Sequence, residues 1–265
     1  MDEQSASIRL SVFLSVFVVM AIWEALLPAR HSPVSKVRRW WGNLAMIVVG
    51  SVAARVVLPM TLTGIALWSA EHNFGVFHWL DTAIVFATIL GVLLLDVVIY
   101  WQHRLSHTIP ILWRLHQVHH ADGHVDTTTG LRFHPFEIVM SLAIKALVVL
   151  LFGIPAVAVV IFEVALNGFA IFNHANIRLP KKWDDRLSYI FITQRVHRVH
   201  HSVKLNESNS NFGFSVSWWD RLFGSYKSQG EKSDETLDIG QNAFPANNDN
   251  ASLWRLLTMP FAKRK

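Results

Sequence analysis

The stretch "WRLHQVHH", residues 113–120, places histidines at positions 116, 119 and 120. Side chains three and four residues apart lie on one face of a helix. The spacing therefore predicts a helix that projects three imidazoles in one direction. "VHRVHH", residues 196–201, repeats it with His197, His200 and His201. Imidazole is the commonest side-chain metal ligand and suits iron, zinc, copper and nickel. One triplet is weak as a signal. Two at the same spacing predict a shared metal site.

Working outward, "YWQHRLSH" at 100–107 adds His103 and His107 one helical turn apart, and His134 and His174 stand singly between the boxes. These ten of the chain's 14 histidines fit two metal ions with four or five nitrogens each. His134 precedes Pro135, where the chain is expected to be extended. His124 is the marginal case: its spacing from His120 suits a helix, but "ADGH" reads as a turn. His31, His72 and His78 are scattered in loops and read as ordinary structural residues.

The surroundings are apolar. Of 265 residues, 52% are hydrophobic and 16% charged, against about 25% charged in a soluble domain. Five segments are long or apolar enough to cross or enter a bilayer: residues 10–28, 43–68, 82–101, 138–152 and 155–173. The last two flank Gly153-Ile154-Pro155 and predict a tight helical hairpin. Residues 10–28 lack a cleavage site and read as a retained helix. Basic residues in short loops mark the cytoplasmic side. Arg30, Lys36, Arg38 and Arg39 lie in the loop 29–41, whereas 70–81 has no Lys or Arg. On that topology every clustered histidine faces the cytoplasm. The expected fold is an all-α integral membrane protein with about four to five membrane helices under a cytoplasmic, histidine-rich helical cap. Residues 1–229 form the membrane domain and 230–265 a polar tail. That tail ends in "SLWRLLTMPFAKRK", which reads equally as an interfacial basic helix or as a helix packed on its own protein.

Composition also excludes. With no cysteine there are no disulfides, thiolate-bound haem, iron–sulfur clusters or cysteine zinc sites. A net charge of +5 suits a membrane surface, and no nucleic-acid-reading module is present. Carboxylates are almost absent from the boxes. Asp96, two turns deeper than His103 on the same face, is a candidate acceptor for a ligand N–H, or simply a polar residue satisfied near the interface. Asp122, Asp126, Asp184 and Asp185 are other candidates, and the sequence does not choose among them. Lys145 and Glu163 lie equally far from the hairpin turn. That predicts a buried ion pair at one depth, with contact to a substrate headgroup as the alternative.

"YWQHRLSH", "LWRLHQVHHADGHVDTTTGLRFHPFE", "FNHANIRLP" and "RVHRVHHSVKLNESNSNFGFSVSWWDRLFGSY" together resemble the fatty acid hydroxylase superfamily, also called the sterol desaturase family. The resemblance covers residues 96 to about 227 in order and spacing. It implies two iron ions and O2-dependent hydroxylation, or desaturation, of a lipid drawn from the bilayer. Carried over by position, His103, His107, His116, His119, His120, His197, His200 and His201 match the three boxes, and His174 matches the histidine after the hairpin. Some members have another histidine one turn earlier, where this chain has Ala170. His134 is the candidate to replace it. No fused cytochrome b5 and no GxGxxG motif is present, so a separate electron donor of ferredoxin or cytochrome type is expected. The alternative class is a histidine-rich metal-binding or metal-transport protein, which would distribute ligands along a path across the bilayer. A zinc hydrolase would need only about three ligands and a base.

Overall fold

The computed structural model describes residues 2–32 and 34–262, with side chains from Ala6 onward. Apart from isolated bridges, helices are the regular elements among the described residues. The membrane part is built from α1 (Asp2–Leu26), α2 (Lys36–Val57), α3 (Leu62–Glu71), α4 (Val76–Trp79), α5 (Ile84–Thr108), α7 (Pro135–Phe152) and α8 (Ala156–His174). Between α5 and α7 comes α6 (Pro110–His120) with a short 3-10 turn at Thr129–Leu131. After α8 the chain forms α9 (Lys181–Leu187), α10 (Gln194–His200), α11 (Leu205–Ser208), α12 (Trp218–Leu222) and α13 (Leu253–Thr258). Five stretches are long and apolar enough to cross a membrane. On α1, Leu10, Leu14, Val18 and Ile22 form an exposed stripe at four-residue spacing, which water would disfavour and acyl chains would not.

The bundle core packs Leu62, Leu95, Ile99, Val149, Ile154 and Phe162 from α3, α5 and the hairpin. The hairpin turns at Gly153, whose φ of 64° is left-handed, a conformation open to glycine without steric cost. Gly75, at φ 109°, lies so close that a Cβ there would come within 2.2 Å of the Gly153 backbone nitrogen. Segment 43–68 departs from expectation. It does not run straight through but breaks at Leu58–Thr61 around Pro59, and Arg55 Nη1 donates to the Pro59 carbonyl at 2.6 Å. The ten-residue α3 is about 15 Å long, too short to span, and packs on α7 and α8.

At 25 residues, α5 is about 37 Å long, longer than a hydrocarbon core of about 30 Å. Its final turns therefore reach the cap. Pro110 at the first turn of α6 stops α5 and folds α6 back against it. The C-terminal ends of α5 and α8 and the N-terminal end of α7 thus meet at one end of the bundle.

The cap is tied to the bundle by buried charge. The Arg39 guanidinium, 2% exposed, donates Nε and Nη2 to Asp122 at 2.8 Å each and Nη1 to Asp126 at 2.7 Å. Burial opposes ionisation of Asp122, but the Arg39 and Arg132 guanidiniums outweigh it and hold the carboxyl below its ordinary range. Glu24 accepts from the Thr127 backbone and hydroxyl and from the Asn176 N–H. Residues 230–262 also pack on the cap. Leu256 and Met259 are fully buried with Met46 and Val118, and Asp234 pairs with Arg198 at 2.6 Å. Trp254 and Phe261 on the same segment are exposed. The helix is thus packed on its own protein and still presents aromatic side chains outward. The basic residues 263–265, which carried the interfacial reading, lie outside the described residues.

Candidate metal centre

Nine of the ten expected histidines meet in the cap. Their potential ligand atoms form two adjoining groups: His103, His107, His116, His120 and His200 in one, and His119, His174, His197 and His201 in the other. Within each group the atoms lie within 4.8 Å of one another. The antiparallel α5–α6 packing sets His103 opposite His116, with Nε2 atoms 3.0 Å apart, and His107 opposite His120 at 3.1 Å. In the second group His174 Nε2 lies 3.1, 2.9 and 3.3 Å from the Nε2 atoms of His119, His197 and His201.

For four of the rings the outward-facing nitrogen fixes the tautomer. A carbonyl oxygen only accepts, so each Nδ1 facing one carries the proton. His103 Nδ1 donates to the Phe212 carbonyl at 2.7 Å, His174 Nδ1 to Ala170 at 2.6 Å and His200 Nδ1 to Ser210 at 2.7 Å. His116 Nδ1 donates to Glu137 Oε1 at 2.7 Å. Each ring then turns a lone pair inward, and facing lone pairs such as those of His103 and His116 cannot bond to each other. His200 Nε2 is buried without any hydrogen-bond partner. A cation between these nitrogens resolves both problems. Separations near 3 Å match two nitrogens at right angles on an ion with bonds of about 2.1 Å. The donor set fits an imidazole-bound transition metal, iron included.

Burial, and then the neighbouring histidines, push the imidazoles of His119, His120, His197 and His201 well below their ordinary range. His200 is lowered to about 3. Neutral imidazole is the ligating form. The fold would compensate part of a bound cation's charge, since His107, His119, His120, His174, His197 and His200 occupy the last turns of α5, α6, α8 and α10. Helix C-termini carry partial negative charge, and four of them converge on the cage.

His134 and the Lys145–Glu163 pair need correction, and the candidates left open resolve. His134 is not part of either group. It caps α7, with Nδ1 accepting from Phe136 N and Nε2 facing the Leu257 carbonyl at 3.2 Å. Asp96 touches no ligand; it accepts from Trp219 Nε1 at 2.7 Å. Asp122 and Asp126 serve Arg39, while Asp184 and Asp185 pair with Arg195. His124 contacts Asn176, and burial together with Arg39 lowers it to about 4. The expected Lys145–Glu163 pair does not form, because Glu163 is bound by Arg9 of α1.

Two residues that carry the site went unassigned in the sequence. Glu137 is the one carboxylate hydrogen-bonded to the cage among the described residues. It sits in "RFHPFE" with no periodic link to His116. Asp220 accepts from the backbone N–H groups of Phe212 and Gly213 at 2.7 and 2.8 Å, holding the loop whose Phe212 carbonyl orients His103. Its signal was the run "NFGFSVSWWD" after the last box.

Beneath the cage lies a cavity of about 190 Å³ between α5, α7 and α8. His103, His116 and Glu137 line its upper end, and most of the remaining wall is apolar.

An all-helical membrane bundle with a nine-histidine cage over an intramembrane cavity defines a class of membrane-embedded histidine-box proteins. The fatty acid hydroxylase family matches residues 88–225, more than half of the chain, and the chain belongs to that family. An ornithine lipid hydroxylase from Rhizobium tropici is 28% identical over 238 residues, covering 86% of this chain and 69% of the relative. Alkylglycerol monooxygenase from Homo sapiens is 28% identical over 61% of this chain, and that from Danio rerio 30% over 63%. The matches span 35% and 36% of those two relatives. No solved structure matches significantly.

Proposed function

We propose that the protein is an O2-dependent di-iron monooxygenase that hydroxylates a membrane lipid. The observation that carries this is the pair of adjoining imidazole groups, five and four residues, set over an apolar cavity inside the bundle. His103, His107, His116, His120 and His200 would hold one iron, and His119, His174, His197 and His201 the other. Bound iron supplies the redox chemistry that activates O2 toward an unactivated C–H bond. The chain's own part is to position and exclude. Glu137 and the backbone carbonyls hold the rings of His103, His116, His174 and His200 in one tautomer. Phe133, stacked on His119 at 4.4 Å, and Phe214, 4.8 Å from His103, keep the cage walls dry. The cavity aligns a lipid beneath the cage.

The cage lies on the cytoplasmic side in this reading, supported by the basic loop 29–41. Reducing equivalents come from a separate carrier docking on that side, where Lys181, Lys182 and Arg186 of α9 are exposed. A metal transporter is disfavoured because both ligand groups sit at one end of the bundle.

The test is metal analysis of the purified protein together with lipid mass spectrometry of cells with and without expression. About two irons per chain and an oxygenated lipid that disappears in His119→Ala and His200→Ala are expected. Unchanged lipids despite a fully iron-loaded protein overturn the hydroxylase reading.

A further inference from the structure

Lys145 is an intramembrane cation, which requires a counter-charge. Its expected partner Glu163 is engaged by Arg9, and among the described residues Lys145 makes no hydrogen bond or ion pair. It is half-buried and lines the cavity beneath the cage. On α7 the cavity-facing positions include Glu137, Ser141 and Lys145, a four-residue spacing that keeps them on one face. Eight residues separate Glu137 from Lys145, about 12 Å along the helix. Helical side chains lean toward the N-terminus, here toward the cage, so the lysine stem takes up much of that distance. Across the cavity Asn167 of α8 adds an amide, and it is exposed, so the cavity reaches the lipid-facing surface there.

We infer that Lys145 is the anchor for an anionic oxygen group of the lipid substrate, a carboxylate or a phosphate, with Ser141 and Asn167 as its hydrogen-bonding companions. This rests on the reading of the cavity as the substrate chamber of a lipid hydroxylase. A charge-assisted bond is roughly twice as strong as a neutral one, and it gives Lys145 a direct partner that the Arg9-bound Glu163 does not. It also sets the site of oxidation. A lipid held at Lys145 presents a carbon within about 12 Å of its anionic group to the cage, so the polar end of the molecule is oxidised and the far chain terminus is not.

The test is native mass spectrometry of the iron-loaded protein in detergent with two pairs of probes. Stearate against methyl stearate reads a carboxylate, and phosphatidylglycerol against diacylglycerol reads a phosphate. Wild type is expected to favour the anionic member of one pair by about tenfold or more in apparent Kd, and that pair identifies the source. Lys145→Arg retains the preference and Lys145→Met abolishes it. If the methionine variant does not purify, Lys145→Gln carries the same measurement. Equal binding within both pairs by wild type, or a preference that survives loss of the cation, overturns the assignment. The two readings fail separately. A preference lost with Lys145 but no oxygenated lipid in cells sinks the hydroxylase reading alone. An oxygenated lipid formed without any such preference sinks the anchor alone.

Discussion

Glu137 sets the ring of His116 with one oxygen, while its other oxygen is buried and unpartnered. Replacing Glu137 with alanine leaves the His116 N–H buried and unsatisfied. Metal affinity should then fall by about 10- to 100-fold, the usual effect of losing an orienting partner. Glu137→Gln keeps an acceptor and should lose less. Iron retained against a competing chelator measures both. At this scale legibility followed local spacing. The triplets were readable because side chains three and four apart must share a helix face. Glu137 was not, because its partner lies 21 positions away and only the fold brings them together. His134 misled for the opposite reason: a histidine before a proline near the boxes caps the helix that the proline starts. For Lys145 and Glu163, hairpin symmetry predicts only a shared depth. Depth leaves the angle around the helix axis undefined, and Glu163 turns to α1.

At the scale of elements, the hairpin was legible because Gly-Ile-Pro between two apolar runs permits little else. The break of α2 into α3 was not, since an internal proline either kinks or ends a helix. Here the helix ends, and Arg55 hydrogen-bonds the Pro59 carbonyl of the linker. The loop before α4 then touches the hairpin turn through two glycine backbones. Gly75→Ala would force a Cβ to within 2.2 Å of the Gly153 nitrogen at a positive φ. That change should cost more than about 2 kcal/mol, seen as a lower unfolding temperature in detergent.

The whole molecule is a bundle closed at one end by a cap, and the segment after residue 230 is part of that closure. Leu256 is fully buried against Met46 of α2 and Val118 of α6. Leu256→Ala should destabilise by about 2–5 kcal/mol, and because α6 carries the central histidine box, bound metal should be lost along with the thermal transition. The polar composition of 230–250 concealed this role, since its few apolar anchors, such as Leu237 and Phe244, are widely spaced and show no helical period. Two of the four basic residues in the loop 29–41 also do structural work in the cap. Arg39 is buried with two aspartates, and Arg30 donates to the Asp234 and Leu237 carbonyls.

In the proposed reading, the unequal division of the cage, five imidazoles against four, would make two chemically identical ions unlike. The ion held by four histidines would have one protein ligand fewer than its neighbour. A small molecule reaching the pair would meet a built-in polarity, one side more accessible and the other more firmly held. Ala170, one turn before His174, offers no ligand to even the count.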